Sequence, residues 1–216
     1  MDEFKKTFIS FFDEYNKDKC VQLVIENLKN KKITIQELYE EVLRPVLCTL
    51  GDCNNKENSC IWMEHVKTSI IRTVIESIYP FVIEQKNNVQ PLGIKVVLVC
   101  PENEYHEVGL RMVSDFFSLN GYESIFIGTN TPRDETYLAI AYNNPKYVAI
   151  SVTDYYLLFE AQKMIGKIRA ISNGKIIIIV GGNAFKNNLE SISKIGGDIY
   201  FEKYSDIVSL RTGDLI

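Results

Sequence analysis

The sequence predicts an N-terminal helical bundle followed by a doubly wound α/β domain, and three observations carry that prediction. Apolar residues recur three and four apart from residue 2 to about 87, the period of amphipathic helices. Beyond that point short β-branched runs alternate with segments of helix length, as in a parallel sheet with crossover helices. Between the two lies EQKNNVQPLG, a polar stretch with proline and glycine that reads as a linker. The expected division is a helical cap bundle over 1–90 and an α/β domain over 91–216.

In the first half the apolar periods are Phe4, Phe8, Phe11 and Phe12; then Val21, Val24, Ile25 and Leu28; then Ile35, Leu38, Val42, Leu43, Val46, Leu47 and Leu50. TIQE (Thr34 to Glu37) reads as a capping box opening the third helix, because the threonine hydroxyl and the glutamate carboxylate can satisfy its first free amides. Gly51 is a plausible stop. A long helical pattern then runs from about Ser59 to Gln85, with Pro80 expected to kink or break it. The half is a bundle of four or five helices.

In the second half the strand-like runs are IKVVLVC (94–100), YESIFIG (122–128), KYVAISV (146–152), KIIIIVGG (175–182) and GDIYFE (197–202). Their near-continuous β-branched character suits strands buried on both faces. Helices are expected at roughly 107–120, 132–143, 155–172 and 184–195, the second opened by Pro132 at its first position. With five strands the common flavodoxin-like order is 2-1-3-4-5, which puts the reversal of strand order, and so the ligand crevice, between the first and third strands.

Composition narrows function. A chain of 216 residues, 46% hydrophobic and 24% charged with formal charge −4, is that of a globular protein without the basic face that nucleic-acid phosphates require. Direct nucleic-acid binding is therefore not expected. The N-terminus MDEFKKTFISFFDEY has no basic flank and apolar run of a signal peptide, and no segment approaches the roughly 20 apolar residues that span a bilayer. Five cysteines without regular spacing fit a reducing compartment. The expected location is cytoplasmic, away from membranes.

The chemistry concentrates at the carboxyl ends of the predicted strands. His106, one of two histidines, follows the first strand by a short loop; Ser151 and Thr153 end the third; Gly181 and Gly182 close the fourth. The loop CPENEYHEVG has neither Gly-x-Gly-x-x-Gly nor Gly-Lys-Ser/Thr, so it is not a phosphate cradle. It sets an imidazole beside Glu104, and a carboxylate near a histidine fixes its tautomer and raises the basicity of the other ring nitrogen, as in metal-bound histidines. Taken alone, the pair also reads as a helix-terminal histidine held by a glutamate.

Glu104-x-His106-x-x-Gly109, then GYESIFIGTNTP, Ser151-x-Thr153 and VGGNAF, resembles the cobalamin-binding domain family, whose motif is Asp-x-His-x-x-Gly, Ser-x-Leu/Thr and Gly-Gly; the match covers residues 92 to about 208. The resemblance implies cobalamin (vitamin B12) bound base-off, with its dimethylbenzimidazole tail threaded into the domain and His106 as the lower ligand of cobalt. Glu104 is then the hydrogen-bond partner of His106, Tyr105 a cofactor neighbour, and Gly109 the residue that leaves room for the tail. Ser151 and Thr153 lie along the tail's groove, and Gly181 with Gly182 let the backbone pass close to the buried base. Glu104 stands where the family usually has aspartate, as in the cobalamin-dependent photoreceptors.

The helical half is similar to the cap of those photoreceptors, in which a tryptophan, nine residues and Glu-His cover the upper ligand. Glu64-His65 matches the end of that motif, whereas the tryptophan position falls on Asn54. Trp62, three residues before His65 and so on the same helix face, is the candidate replacement. Without the resemblance, Trp62 reads as a core or interface aromatic and Glu64 with His65 as a surface pair. Cys48, Cys53, Cys60 and His65 invite a zinc site but lack the tight Cys-x-x-Cys knuckle. Cys100 reads as a small buried hydrophobe, Tyr155 and Tyr156 as candidate groove contacts, and the lysines at 5, 6, 29, 31 and 32 as a solvated face.

The resemblance implies a cofactor-binding protein rather than a self-contained catalyst. The expected role is a sensor or regulatory module, responding to light or to the upper ligand (adenosylcobalamin or methylcobalamin), that acts through a protein partner or a homo-oligomer switch. The alternative is a corrinoid protein carrying a methyl group between methyltransferases.

Overall fold

A computed structural model describes residues 1–50 and 61–213. Gly51, Cys53, Asn54 and Cys60 lie outside the described residues, and with them the expected helix stop, two of the four zinc-site candidates and the position where the cap motif has its tryptophan. The chain separates into two compact units, with the division between Asn87 and Asn88. Residues just past that point go with the second unit: the Leu92 amide donates to the Gly121 carbonyl at 2.8 Å, and Gly121 lies so close to Gln90 that a Cβ there would fall 2.5 Å from its carbonyl oxygen.

In the first unit, α1 (Asp2–Asp13) buries Phe4, Phe8 and Phe12 on one face, their rings stacked along the helix at 6.4 and 6.0 Å. α2 (Lys17–Lys29) opens at Asn16, whose side chain accepts from the Lys19 amide, and buries Cys20, Val24 and Leu28. The buried seam thus takes Cys20 in preference to Val21 and Ile25, which are half-buried. The predicted capping box at Thr34 and Glu37 is present and opens α3 (Ile35–Glu37).

The helix it opens is not uniform. Leu38–Leu43 is a π-helix, which runs on into α4 (Arg44–Thr49). The Arg44 amide bonds the Tyr39 carbonyl, five residues back, and Pro45 follows with no amide hydrogen to return the ladder to its usual bond at that step. α5 (Ile61–Lys86) runs through Pro80 without a break, contrary to one expectation. Pro80 is on the exposed side, while Ile78 and Val82 on either side of it are buried, so packing keeps the helix docked across the missing bond. Lys6, Lys29, Lys31 and Lys32 are exposed and Lys5 half-buried.

The second unit is a five-stranded parallel sheet in the order β2-β1-β3-β4-β5. Its strands are β1 (Lys95–Val99), β2 (Glu123–Gly128), β3 (Tyr147–Ser151), β4 (Ile177–Gly181) and β5 (Ile199–Phe201). Its helices are α6 (Val108–Leu119), α7 (Arg133–Asn143), α8 (Leu158–Ser172), α9 (Glu190–Ile195) and α10 (Tyr204–Thr212).

Both faces of the sheet are covered. Val97, Val99, Val148, Ile150, Ile178 and Val180 pack under α7 and α8 against Tyr137, Ile140, Met164, Ile165 and Ile168. On the other face Phe117 of α6 meets Tyr122 edge-on at 5.3 Å, Tyr122 meets Tyr147, and Phe116 lies tilted against Tyr204 of α10 at 4.7 Å.

Three local differences from the sequence expectation have visible causes. Pro132 is the residue before α7, with φ −51 and ψ 140, and Arg133 is the first helical one. The segment 184–195 is split into a 3-10 turn (Asn183–Phe185) and α9, separated by the polar Lys186-Asn187-Asn188. α10 was not expected; the Asp206 carboxylate accepts from the amides of Glu202 and Lys203 at 2.7 and 2.9 Å and starts a helix that buries only Ile207 and Leu210.

Replacing Thr34 by alanine removes one half of the capping box; the expected loss is about 1 kcal/mol in the stability of the helical unit, read by urea denaturation, with Glu37→Ala no more than additive to it.

Candidate functional site

The break in the sheet's connectivity lies where β1 pairs β2 on one side and β3 on the other. The chain after β1 rises over that point. The β1–β2 register slips between Leu98 and Val99, so that Val99 pairs Gly128, and the Cys100 amide donates to the Gly128 carbonyl at 2.9 Å. The loop then reaches α6 at Val108, and Glu104, Tyr105 and His106 all fall on it.

Glu104 is the anchor of the loop. It is 1% exposed, and its two carboxylate oxygens accept hydrogen bonds on opposite sides. Oε1 takes the His106 ring nitrogen Nδ1 at 2.5 Å and the His106 amide at 3.1 Å. Oε2 takes the backbone amides of Thr153 at 2.7 Å and Asp154 at 3.1 Å, in the loop that follows β3. One buried carboxylate therefore ties the two loops that flank the reversal of strand order. Burial by itself raises the Glu104 carboxyl, but the bonds from the His106 ring and from the amides of Asp154, Thr153 and His106 outweigh it and hold the group below the ordinary carboxylate range.

A carboxylate can only accept, so Nδ1 of the His106 ring donates, and the lone pair of the neutral ring is on Nε2. The His106 side chain is 53% exposed while its partner carboxylate is fully enclosed. This is the arrangement that prepares an imidazole to bind a metal from solvent: proton fixed behind, basicity raised, face accessible. Tyr105 beside it is 61% exposed.

The remaining predicted residues are placed as follows. Gly109 is in the first turn of α6, and a Cβ built on it meets no protein atom within 4 Å. Nothing in the unit itself requires glycine there, and a helix pays for it with backbone entropy, about 1 kcal/mol relative to alanine. Open space at that point fits a bound group that needs it. Ser151 ends β3 opposite Gly181, and the hydroxyls of Ser151 and Thr153 form no hydrogen bond among the described residues; Thr153 serves Glu104 through its amide.

Gly181 and Gly182 have a requirement of their own. A Cβ on Gly181 would fall 2.9 Å from the Phe201 carbonyl oxygen, and one on Gly182, at φ +106, would fall 2.3 Å from the Val152 carbonyl oxygen. The pair lets three chain segments approach each other at the end of β4.

Asp154 and Glu107 were not singled out from sequence, and both matter here. Asp154 gives an amide to Glu104 and uses its own carboxylate to accept from the Tyr156 amide, opening the 3-10 turn Tyr155–Leu157. Tyr155 and Tyr156 are exposed on that turn, their rings edge to face at 6.3 Å. The Glu107 carboxylate accepts from the amide and hydroxyl of Thr129 at 3.4 and 3.1 Å, in the loop after β2. A pocket opens between this loop and the one after β1, lined by Cys100, Asn103, Tyr105, Asn130 and Arg133. Arg133 bonds the carboxylates of Glu102 and Glu160 at its edge. Cys100 is buried, and burial, with the charges of Glu104 and Glu107, pushes its thiol far up, so it acts as a hydrophobe.

In the helical unit, Trp62, Glu64 and His65 are in the first turns of α5. Trp62 is 57% exposed and tilts against Tyr15 at 6.1 Å, so it is not a core aromatic. His65 is exposed and Glu64 half-buried. Cys48 is exposed, and among the described residues no group of histidine, cysteine, aspartate and glutamate is arranged to hold a metal by itself. Nor, among them, is any helix long and apolar enough to cross a membrane.

Comparison with known proteins gives matches in both sequence and fold. The family model described as B12 binding domain matches residues 94–206, more than half of the chain. The HTH-type transcriptional repressor CarA of Myxococcus xanthus is 24% identical over 148 residues, 68% of this chain and 49% of that protein. The chain thus spans about half the length of that curated relative. The monomethylamine corrinoid protein of Methanosarcina barkeri matches in fold with a TM-score of 0.78, 15% identity and 99% of each chain covered. A cobalamin-binding protein from Desulfitobacterium hafniense DCB-2 matches with a TM-score of 0.51, 14% identity and full coverage of both chains.

Two outcomes follow from this geometry. Because the folded Glu104 carboxyl is held below its unfolded value of about 4.3, its contribution to stability is complete above that pH and is lost as pH falls through the lower folded value. Glu104→Gln should therefore flatten the acid limb of the stability profile of the isolated chain, measured by urea denaturation between pH 2 and 6. Gly182→Ala should cost roughly 2–4 kcal/mol in the same assay at neutral pH, since both its backbone angle and its neighbours oppose a side chain.

Proposed function

The chain belongs to the B12-binding domain family, and on that premise we propose that it holds a corrinoid base-off, with Nε2 of His106 as the lower ligand of cobalt. The observation that carries this is the 2.5 Å bond between Nδ1 of the half-exposed His106 and the buried Glu104 carboxylate. Bound there, a corrinoid supplies a cobalt whose upper ligand can be exchanged. The chain's residues do the rest. Glu104 keeps the proton on Nδ1 and the ring in place; the open space at Gly109 and the hydroxyls of Ser151 and Thr153 receive the nucleotide tail; Tyr105 borders the corrin. The tight approach at Gly181 and Gly182 shapes the end of that groove.

For the use of the cofactor, the reading we favour is a corrinoid protein that carries a methyl group between methyltransferase partners. Its support is the likeness in fold to the monomethylamine corrinoid protein over essentially the whole of both chains, helical unit included. The second reading is a sensor of light or of the upper ligand, working through a protein partner or a change of oligomeric state. The match to CarA, a transcriptional repressor, favours a regulatory role, and the Glu64-His65 pair, with Trp62, is then assigned to the upper ligand. Under either reading the protein binds and presents a cofactor.

Mixing the purified chain with hydroxocobalamin should give the visible spectrum of a histidine-ligated, base-off corrinoid, and His106→Ala should abolish it; an unchanged spectrum in that variant sinks the proposal. The two uses then separate cleanly. A carrier accepts a methyl group on its reduced corrinoid from a methyltransferase and keeps its oligomeric state in green light, whereas a sensor loaded with adenosylcobalamin in the dark changes size on illumination.

A further inference from the structure

We propose that Glu107 is a second positioning residue for His106, anchoring the histidine loop to the loop after β2 as Glu104 anchors it to the loop after β3. The proposal rests on the reading of His106 as the cobalt ligand. His106 is half-exposed, so packing alone does not hold its ring, and its direction must come from the hydrogen bonds of the loop that bears it. Glu104 supplies those on one side only. Its bonds reach the loop after β3 and leave the side toward β2 to another side chain.

Glu107 closes that freedom. It directly follows His106 and precedes α6, where its amide bonds the Tyr105 carbonyl and its carbonyl takes the Arg111 amide, so its own backbone is set by the start of the helix. Its side chain is 14% exposed, and Oε2 accepts from the hydroxyl and the amide of Thr129. Oε1 faces the Arg111 guanidinium at 3.5 Å, and that guanidinium is stacked over Phe126 of β2 at 4.6 Å. Gly128, at φ +74, leaves the space that the carboxylate uses: a Cβ there would fall 2.7 Å from Glu107 Oε2. The histidine is thus strapped on both sides of the point where strand order reverses, by two carboxylates reaching in opposite directions.

The test uses the full chain titrated with hydroxocobalamin, following affinity and the visible spectrum at saturation, with circular dichroism and thermal midpoint of the apo form as a check on folding. Glu107→Ala is expected to weaken binding roughly tenfold, the worth of one charge-assisted hydrogen bond, and to lower the histidine-ligated fraction at saturation. Glu107→Gln, which keeps length and an acceptor oxygen, should recover part of both. Thr129→Val should have a smaller effect of the same kind and add nothing in the Glu107→Ala background.

A Glu107→Ala protein that is less stable yet shows the wild-type spectrum at saturation has lost only structure, and overturns the proposal; so does wild-type affinity with a wild-type spectrum. If Glu107→Ala does not fold, Glu107→Gln and Thr129→Val decide: no change in either overturns it. His106→Ala is run in parallel. Should it keep the ligated spectrum, the assignment of the ligand fails and takes this proposal with it; should it lose the spectrum while the Glu107 variants keep theirs, only the second strap is refuted.

Discussion

The second unit depends on one buried charge. A carboxylate with almost no exposure is costly unless its oxygens are satisfied, and Glu104 is satisfied by donors from two different loops. Because those donors come from the chain after β1 and the chain after β3, the requirement to satisfy a single carboxylate draws together the two sides of the crevice that the strand order creates. The penalty of burying the charge is what makes the geometry definite: any arrangement that separates the loops strands an ionised group in the protein interior.

That constraint also explains how an exposed histidine can be oriented. A side chain with half its surface in water ordinarily samples several rotamers, but the ring here is held at one nitrogen by an acceptor whose other oxygen is engaged with the Thr153 and Asp154 amides. The glutamate is well suited to this double task. One oxygen folds back onto the residue two places along the chain while the other reaches a loop some fifty residues away in sequence.

Close approach at glycines, of a side chain at Gly128 and of backbone at Gly181 and Gly182, is the second theme. Gly128, Gly181 and Gly182 each stand where another segment leaves no room for a Cβ, and all three are at carboxyl ends of strands. Gly109 is the contrasting case, a helical glycine facing open space. The sequence motif presents Gly109, Gly181 and Gly182 alike as glycines that make room; the structure divides them into two that make room for the protein and one that leaves room beside it. The helical unit shows a similar division. Pro45 follows directly on a widened π-helix, while Pro80 passes through an intact helix because the buried residues on either side of it keep α5 docked.

The alternation of β-branched runs with helix-length segments was enough to foresee five parallel strands, because burial of both faces of a parallel sheet leaves an unbroken apolar run in the sequence, and the order expected for five such strands is the one the sheet has. The pairing of Glu104 with His106 was also legible, being a contact between residues two apart. The capping box at Thr34 was legible for the same reason of short range. What sequence could not supply were the partners brought close only by the fold: the amides of Thr153 and Asp154 on the far side of Glu104, the hydroxyl of Thr129 on Glu107, and the carbonyls that crowd Gly181 and Gly182. Backbone amides carry no residue-type signature, so a bond to one leaves no motif. α10 escaped notice because two buried apolar residues are too few to set a period. The sequence by itself determined the fold class and the pairing of the histidine with its carboxylate; the tertiary structure alone decided which loops that carboxylate joins, because those bonds depend on chain segments meeting in space and not on their spacing along it.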